Sequence, residues 1–146
     1  MHARVLVLAA AALFAHAAAA DKPAIFADQN GAIRGYDPVA YFTQGAPVKG
    51  AKEFRHDWRG ATWHFASSAN RDRFAADPQQ YAPQYGGYCA YGVALGSAPP
   101  IDPAAWSIVD GRLYLNFNLP TRATWEKDIP GYVRKADANW PAVLKR

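Results

Sequence analysis

Glycine or proline interrupts this chain so often that no element of regular structure can run long. Together they make up 22 of 146 residues, against an average near 12%. Proline removes a backbone donor and glycine relaxes the backbone, so the chain reads as short elements joined by many turns. A single cysteine, Cys89, tightens the constraint. No internal disulfide can staple those pieces together, so a buried core must hold them.

The N-terminal stretch is the exception to the punctuation. Arg4 precedes an apolar run from Val5 to Ala15, and Ala18-Ala19-Ala20 offers small residues for cleavage before Asp21. This pattern predicts a secretory signal over residues 1–20 and a mature domain over 21–146, placed in the periplasm or secreted. The run is short for a membrane span, and no later segment is apolar enough for one. Loss of Arg4 with the leader lowers the formal charge of +4 by one. The remaining charges are spread along the chain without a Lys/Arg cluster, so nucleic acid is not expected as a partner.

Two hairpins are legible. Phe54, Trp58, Trp63 and Phe65 flank Arg59-Gly60 within Glu53 to Ser67. A two-residue turn there sets His56 opposite Trp63 and Arg55 opposite His64, with the histidines on opposite faces; a three-residue turn pairs the histidines directly. Trp106, Ile108, Leu113, Leu115 and Phe117 flank Asp110-Gly111, the stronger turn signal, within Ala105 to Phe117. Between and around them the spacing predicts short helices. One follows Asp37-Pro38, one is capped by Ser67 or Ser68 and ends near Asp77-Pro78, and a short helix or turn follows to Gln84. The last two occupy Pro120 to Lys127 and the stretch after Pro130, where Tyr132, Val133, Ala136 and Trp140 make an apolar stripe. The expected fold is α+β, with two hairpins forming a small antiparallel sheet packed with several short helices.

Cys89 lies in Tyr85-Gly86-Gly87-Tyr88-Cys89-Ala90-Tyr91-Gly92. In an oxidising compartment an exposed thiol is capped or oxidised, so Cys89 is expected to be buried, ligated or used. Soft metals prefer thiolate with imidazole, which nominates Cys89, His64 and His56 as metal ligands, with Asp57, Tyr85, Tyr88 or Tyr91 as oxygen donors. The same imidazoles could activate Cys89 as a redox nucleophile, whose oxidised form needs an external thiol or a partner protein. A third reading leaves Cys89 buried in a structural or interaction module. The tryptophans and tyrosines mostly occupy core positions. No hydrolase elbow, phosphate loop or dinucleotide fingerprint is present.

Trp58-Arg59-Gly60-Ala61-Thr62-Trp63-His64-Phe65-Ala66-Ser67, Asn70-Arg71-Asp72-Arg73-Phe74, Asp77-Pro78-Gln79-Gln80-Tyr81 and the earlier Asp37-Pro38-Val39 resemble the YHS domain. With the Cys89 segment, nearly all of the expected mature chain resembles exported YHS-domain proteins. The resemblance implies a small hairpin-plus-helix module related to heavy-metal handling, in which the position of Cys89 is sometimes selenocysteine. It implies binding of a soft transition metal, copper first, with a metal-transfer or redox protein as partner. Metal-binding members place cysteines where this chain has Ala40, Ala66 and Asn70, so their thiolate cage does not carry over. The leading expectation is copper binding by Cys89 with a nearby histidine; the alternative is a one-cysteine thiol redox protein, peroxidase-like, acting on a small thiol or oxidant.

Overall fold

The computed structural model describes residues 9–11 and 21–145. The expected leader, apart from residues 9–11, lies outside the described residues.

The first major hairpin joins β3 (Ala51–Trp58) to β4 (Ala61–Phe65), following two minimal strands, β1 (Ala27–Asp28) and β2 (Gly31–Ala32), and a one-turn helix α1 (Ala40–Thr43). Arg59 and Gly60 both take positive φ, 49° and 76°, the geometry that matches the twist of a two-residue hairpin. Trp58 faces Ala61, His56 faces Trp63 and Arg55 faces His64, which is the two-residue register. A bulge follows, for Ala51 faces Phe65 while Arg55 faces His64. Along β4 the pleat buries Ala61, Trp63 and Phe65 and leaves Thr62 and His64 half-covered.

Ser67 caps helix α2 (Ser68–Ala76), its Oγ accepting the Asn70 N–H at 3.1 Å. This start orients Phe74 onto the hairpin, with ring centroids 5.0 Å from Trp63, 5.2 Å from Phe65 and 5.7 Å from Trp58. Asp77-Pro78 ends that helix and opens α3 (Pro78–Tyr81).

The second hairpin, β5 (Asp102–Val109) and β6 (Arg112–Asn116), turns at Asp110-Gly111 with φ of 51° and 74°. Four successive residues of β6, Leu113 to Asn116, are buried, because both faces of the strand are covered. Leu113 and Leu115 join one cluster with Trp63, Phe65, Phe74 and Cys89. Tyr114 joins the other with Tyr85, Val93, Trp125 and Ala136. The strand thus divides two cores, which Phe26 and Tyr91 border in common.

The class is α+β, as expected. The hairpins do not merge into one sheet, however; the described strands form three separate two-stranded ladders. Helix α4 (Ala90–Ala94) has no counterpart among the helices expected from sequence. Helices α5 (Leu119–Trp125) and α6 (Ile129–Asn139) close the second core, capped by the side chains of Asn118 and Asp128. A 3-10 turn over Glu126–Asp128 joins them.

Candidate functional site around Cys89

The glycines before Cys89 set its position. Tyr85, Gly86 and Gly87 all sit at positive φ, 58°, 62° and 85°, and this left-handed turn delivers the chain to the start of α4. A Cβ on Gly86 would collide with the Ala24 carbonyl, so only glycine fits there. Beyond the turn, the Cys89 N–H donates to Pro99 O at 3.0 Å and the Cys89 carbonyl accepts the Val93 N–H at 2.9 Å.

Cys89 is the N-cap residue of α4 and only 1% exposed. Its sulfur accepts the Gly92 N–H at 3.4 Å and the Phe117 N–H at 3.2 Å. The thiol donates to Asn116 Oδ1 at 3.6 Å, and that oxygen also accepts the Tyr91 N–H at 3.0 Å. One side chain thereby ties the first turn of α4 to the end of β6. Burial pushes the thiol pKa up, while the N–H groups of Gly92, Phe117 and Tyr91 pull it down; burial prevails.

Asn116 is absent from the sequence expectations. It is fully buried, and its Nδ2 has no hydrogen-bond partner among the described residues. The available signal is a polar residue within the apolar strand pattern Leu113-Tyr114-Leu115-Asn116-Phe117. Such a residue either meets polar groups inside or marks a site.

The histidines make contacts of their own. His64 sits on β4 opposite Arg55 and against Gly31, where a Cβ would come within 3.0 Å of Nε2. Its Nδ1 is buried without a partner among the described residues. His56 sets its ring edge-on to Phe74 at 6.1 Å. Neither is a hydrogen-bond partner of the sulfur, whose contacts come from α4 and the end of β6. The suggested oxygen donors are engaged as well. Asp57 accepts the Thr62 hydroxyl at 2.8 Å, Tyr85 donates to Asp137 at 2.9 Å, and Tyr88 donates to Pro23 O at 2.8 Å. Tyr91 packs edge-on against Tyr132 at 5.1 Å. Among the described residues, no three His, Cys, Asp or Glu side chains are grouped to hold a metal ion.

A second polar centre lies where the resemblance would put the thiolate cage. Asp37 is fully buried. Its Oδ1 accepts the N–H groups of Val39 and Ala40 at 2.8 and 3.2 Å. Its Oδ2 accepts the Ala66 N–H and Asn70 Nδ2, both at 2.8 Å. Ala40, Ala66 and Asn70 thus converge on one carboxylate. Two alanines offer no ligand atom, the Asn70 amide donates, and the carboxylate's four acceptor sites are taken. These residues do not fit a metal ion; they fit a buried anion satisfied by four N–H donors.

Among curated proteins and solved structures, none matches the chain. Residues 39–85, which run from the turn before α1 through the first hairpin, α2 and α3 to Tyr85, match the YHS domain, a family associated with metal binding.

Proposed function

We propose that this chain is a one-cysteine thiol redox protein, peroxidase-like in its chemistry, with Cys89 as the reacting group. The observation that carries the reading is the convergence of two backbone N–H groups, from Gly92 and Phe117, on one sulfur. Donors fixed at that distance stabilise a thiolate, the form that attacks an oxidant, against the burial that raises the thiol pKa overall. The resemblance to exported proteins with selenocysteine at this position points to chemistry or soft-metal binding at Cys89 and does not choose between them.

Cys89 sulfur attacks one oxygen of a hydroperoxide; the S–O bond forms and the O–O bond breaks. Sulfur loses two electrons, the peroxide gains them, and the thiol proton ends on the departing alkoxide or hydroxide. The sulfenic acid then condenses with an external thiol, releasing water, and a second thiol returns Cys89 with an external disulfide as product. An external thiol is required because the chain has one cysteine. Burial restricts the oxidant to a small molecule. We place the reaction outside the cytosol, on the leader pattern of residues 1–20, and take residues 21–146 as the working unit.

The test is peroxide consumption by the mature protein with a small thiol as reductant. The proposal expects turnover that is abolished in Cys89→Ala and rises from neutral to alkaline pH, because burial raises the thiol pKa. Equal consumption by parent and Cys89→Ala refutes it.

A second reading, copper binding by Cys89 with His64 or His56, draws on the YHS match. It requires the sulfur to exchange its N–H contacts for the metal, with a histidine as a second ligand. Copper titration decides: the metal reading expects tight binding lost in Cys89→Ala, whereas the redox reading expects no difference between the two.

A further inference from the structure

Beside Cys89, Asn116 is a buried polar residue with an unsatisfied donor. A fully buried carboxamide with an unused N–H donor is costly, and native interiors rarely carry one without a reason. The other half of the same amide is fully engaged. Oδ1 takes the Tyr91 N–H at 3.0 Å and the Cys89 thiol at 3.6 Å. The amide is therefore held in place through its oxygen, and its nitrogen, bonded to the same carbon, has no partner among the described residues.

The polar groups facing the sulfur divide by type. The Gly92 and Phe117 N–H groups donate to it, and Asn116 Oδ1 accepts from the thiol proton. In the reduced protein that set is complete without Nδ2. Oxidation changes the requirement. The proton leaves with the reduced peroxide, and a new oxygen, carrying acceptor lone pairs, is bonded to sulfur. Among the groups that contact the sulfur, the one with unspent donor capacity is the Asn116 amide, at Nδ2.

We propose that Asn116 is the residue that receives the oxidised sulfur, its Nδ2 donating to the sulfenic oxygen of Cys89 and prolonging the life of that intermediate. This rests on the redox reading above. The step it serves is Cys89–SH plus a hydroperoxide giving Cys89–SOH plus an alcohol or water. The S–O bond replaces the O–O bond, sulfur is oxidised by two electrons, and the departing oxygen takes the thiol proton. Asn116 supplies neither electrons nor the transferred proton. It meets the product of the step and holds it until an external thiol arrives. Held by this hydrogen bond, the sulfenic acid of a chain without a resolving cysteine is kept from further oxidation until that thiol reacts.

The experiment follows the sulfenic acid in the full mature chain after one equivalent of hydrogen peroxide, using a cyclic 1,3-dione trap and intact mass. Parent protein is expected to hold a trappable sulfenic acid. Asn116→Asp keeps the acceptor oxygen and puts a second oxygen in place of the NH₂ donor; Asn116→Leu removes both. Each is expected to shorten its lifetime at least tenfold, with sulfinic acid appearing in its place. Variants that melt like the parent yet keep the parent lifetime overturn the proposal. Where the variants fail to fold, nitrogen-15 NMR of the parent decides. The Asn116 side-chain NH₂ signals are expected to shift downfield and gain exchange protection on oxidation, and unchanged signals overturn the assignment. Absence of any sulfenic acid in the parent sinks the redox reading itself, and Asn116's role with it. A trapped parent with indifferent Asn116 variants sinks only the latter.

Discussion

Replacing Asp37 with asparagine tests whether the buried carboxylate holds the first hairpin to α1. Asp37→Asn is nearly isosteric, so packing changes little and hydrogen bonding carries the effect. The carboxylate serves four N–H donors. The amide keeps one oxygen, sufficient for Val39 and Ala40, but turns an NH₂ toward Ala66 N and Asn70 Nδ2. The Asn70 amide can rotate to offer its oxygen. The Ala66 N–H belongs to the backbone and cannot. One part-buried donor is then orphaned, at about 1–3 kcal/mol, and the surviving bonds lose their charge assistance. The total comes to about 2–4 kcal/mol, which for a chain of this size lowers Tm by roughly 5–15 °C. Urea and thermal unfolding followed by tryptophan fluorescence measure it. Asn70→Ala, which removes one donor and leaves the carboxylate, should cost about 1 kcal/mol, and the double variant should be less than additive. A loss below about 1 kcal/mol in Asp37→Asn refutes the reasoning, because water or a local rearrangement would then be replacing the lost bonds.

Three further outcomes follow from the same packing. Phe74→Ala removes the ring that Trp58, Trp63 and Phe65 share, and should destabilise the fold by about 3–5 kcal/mol in urea unfolding; a cost under about 1 kcal/mol would mean the hairpin does not lean on α2. Stability should fall on the alkaline side. The thiol of Cys89 and the phenols of Tyr41, Tyr85 and Tyr114 all have pKa values raised first by burial. The folded protein therefore keeps protons that the unfolded chain releases from its ordinary values of 9.0 and 10.0. Their contribution is intact below those values and is lost as pH rises through them toward the raised ones. A flat melting temperature across that range would contradict the burial argument. Gly92→Ala would press a Cβ into the Pro99 ring, and displacement of the Pro99 loop should speed alkylation of Cys89 by iodoacetamide; an unchanged rate would show that this loop does not shield the sulfur.

The hairpins are legible in the sequence because their signals are local. Arg59-Gly60 and Asp110-Gly111 supply the positive φ that two-residue turns require, while the register of the first hairpin, open between a two- and a three-residue turn in the sequence, is decided in the fold. A serine cap at Ser67 or Ser68 is readable for the same reason, and the fold uses Ser67. The relation between the hairpins is not, because ladders that pack without pairing leave no trace in either strand's own pattern. Helix α4 is hidden by its brevity and by Gly92 within it. Composition alone nominates Cys89, but its partners include backbone groups of Gly92 and Phe117, and a backbone N–H has no sequence signature. Ligand chemistry nominates His64 and His56, and chemistry does not encode distance. Ala40, Ala66 and Asn70 announce a missing cage; that a carboxylate from Asp37 stands at their meeting point depends on the path of three separate segments.

The most direct measurement of whether Cys89 is a redox centre is the intact mass of the mature protein after brief exposure to hydrogen peroxide and a sulfenic-acid trap, with the modified residue mapped by fragmentation. Redox chemistry at this sulfur predicts a single trap adduct on Cys89, absent in Cys89→Ala and prevented in the parent when an external thiol reduces the oxidised protein before the trap is added. A native protein that takes up no adduct, while the unfolded chain does so readily, would contradict it and leave Cys89 as a packed structural thiol.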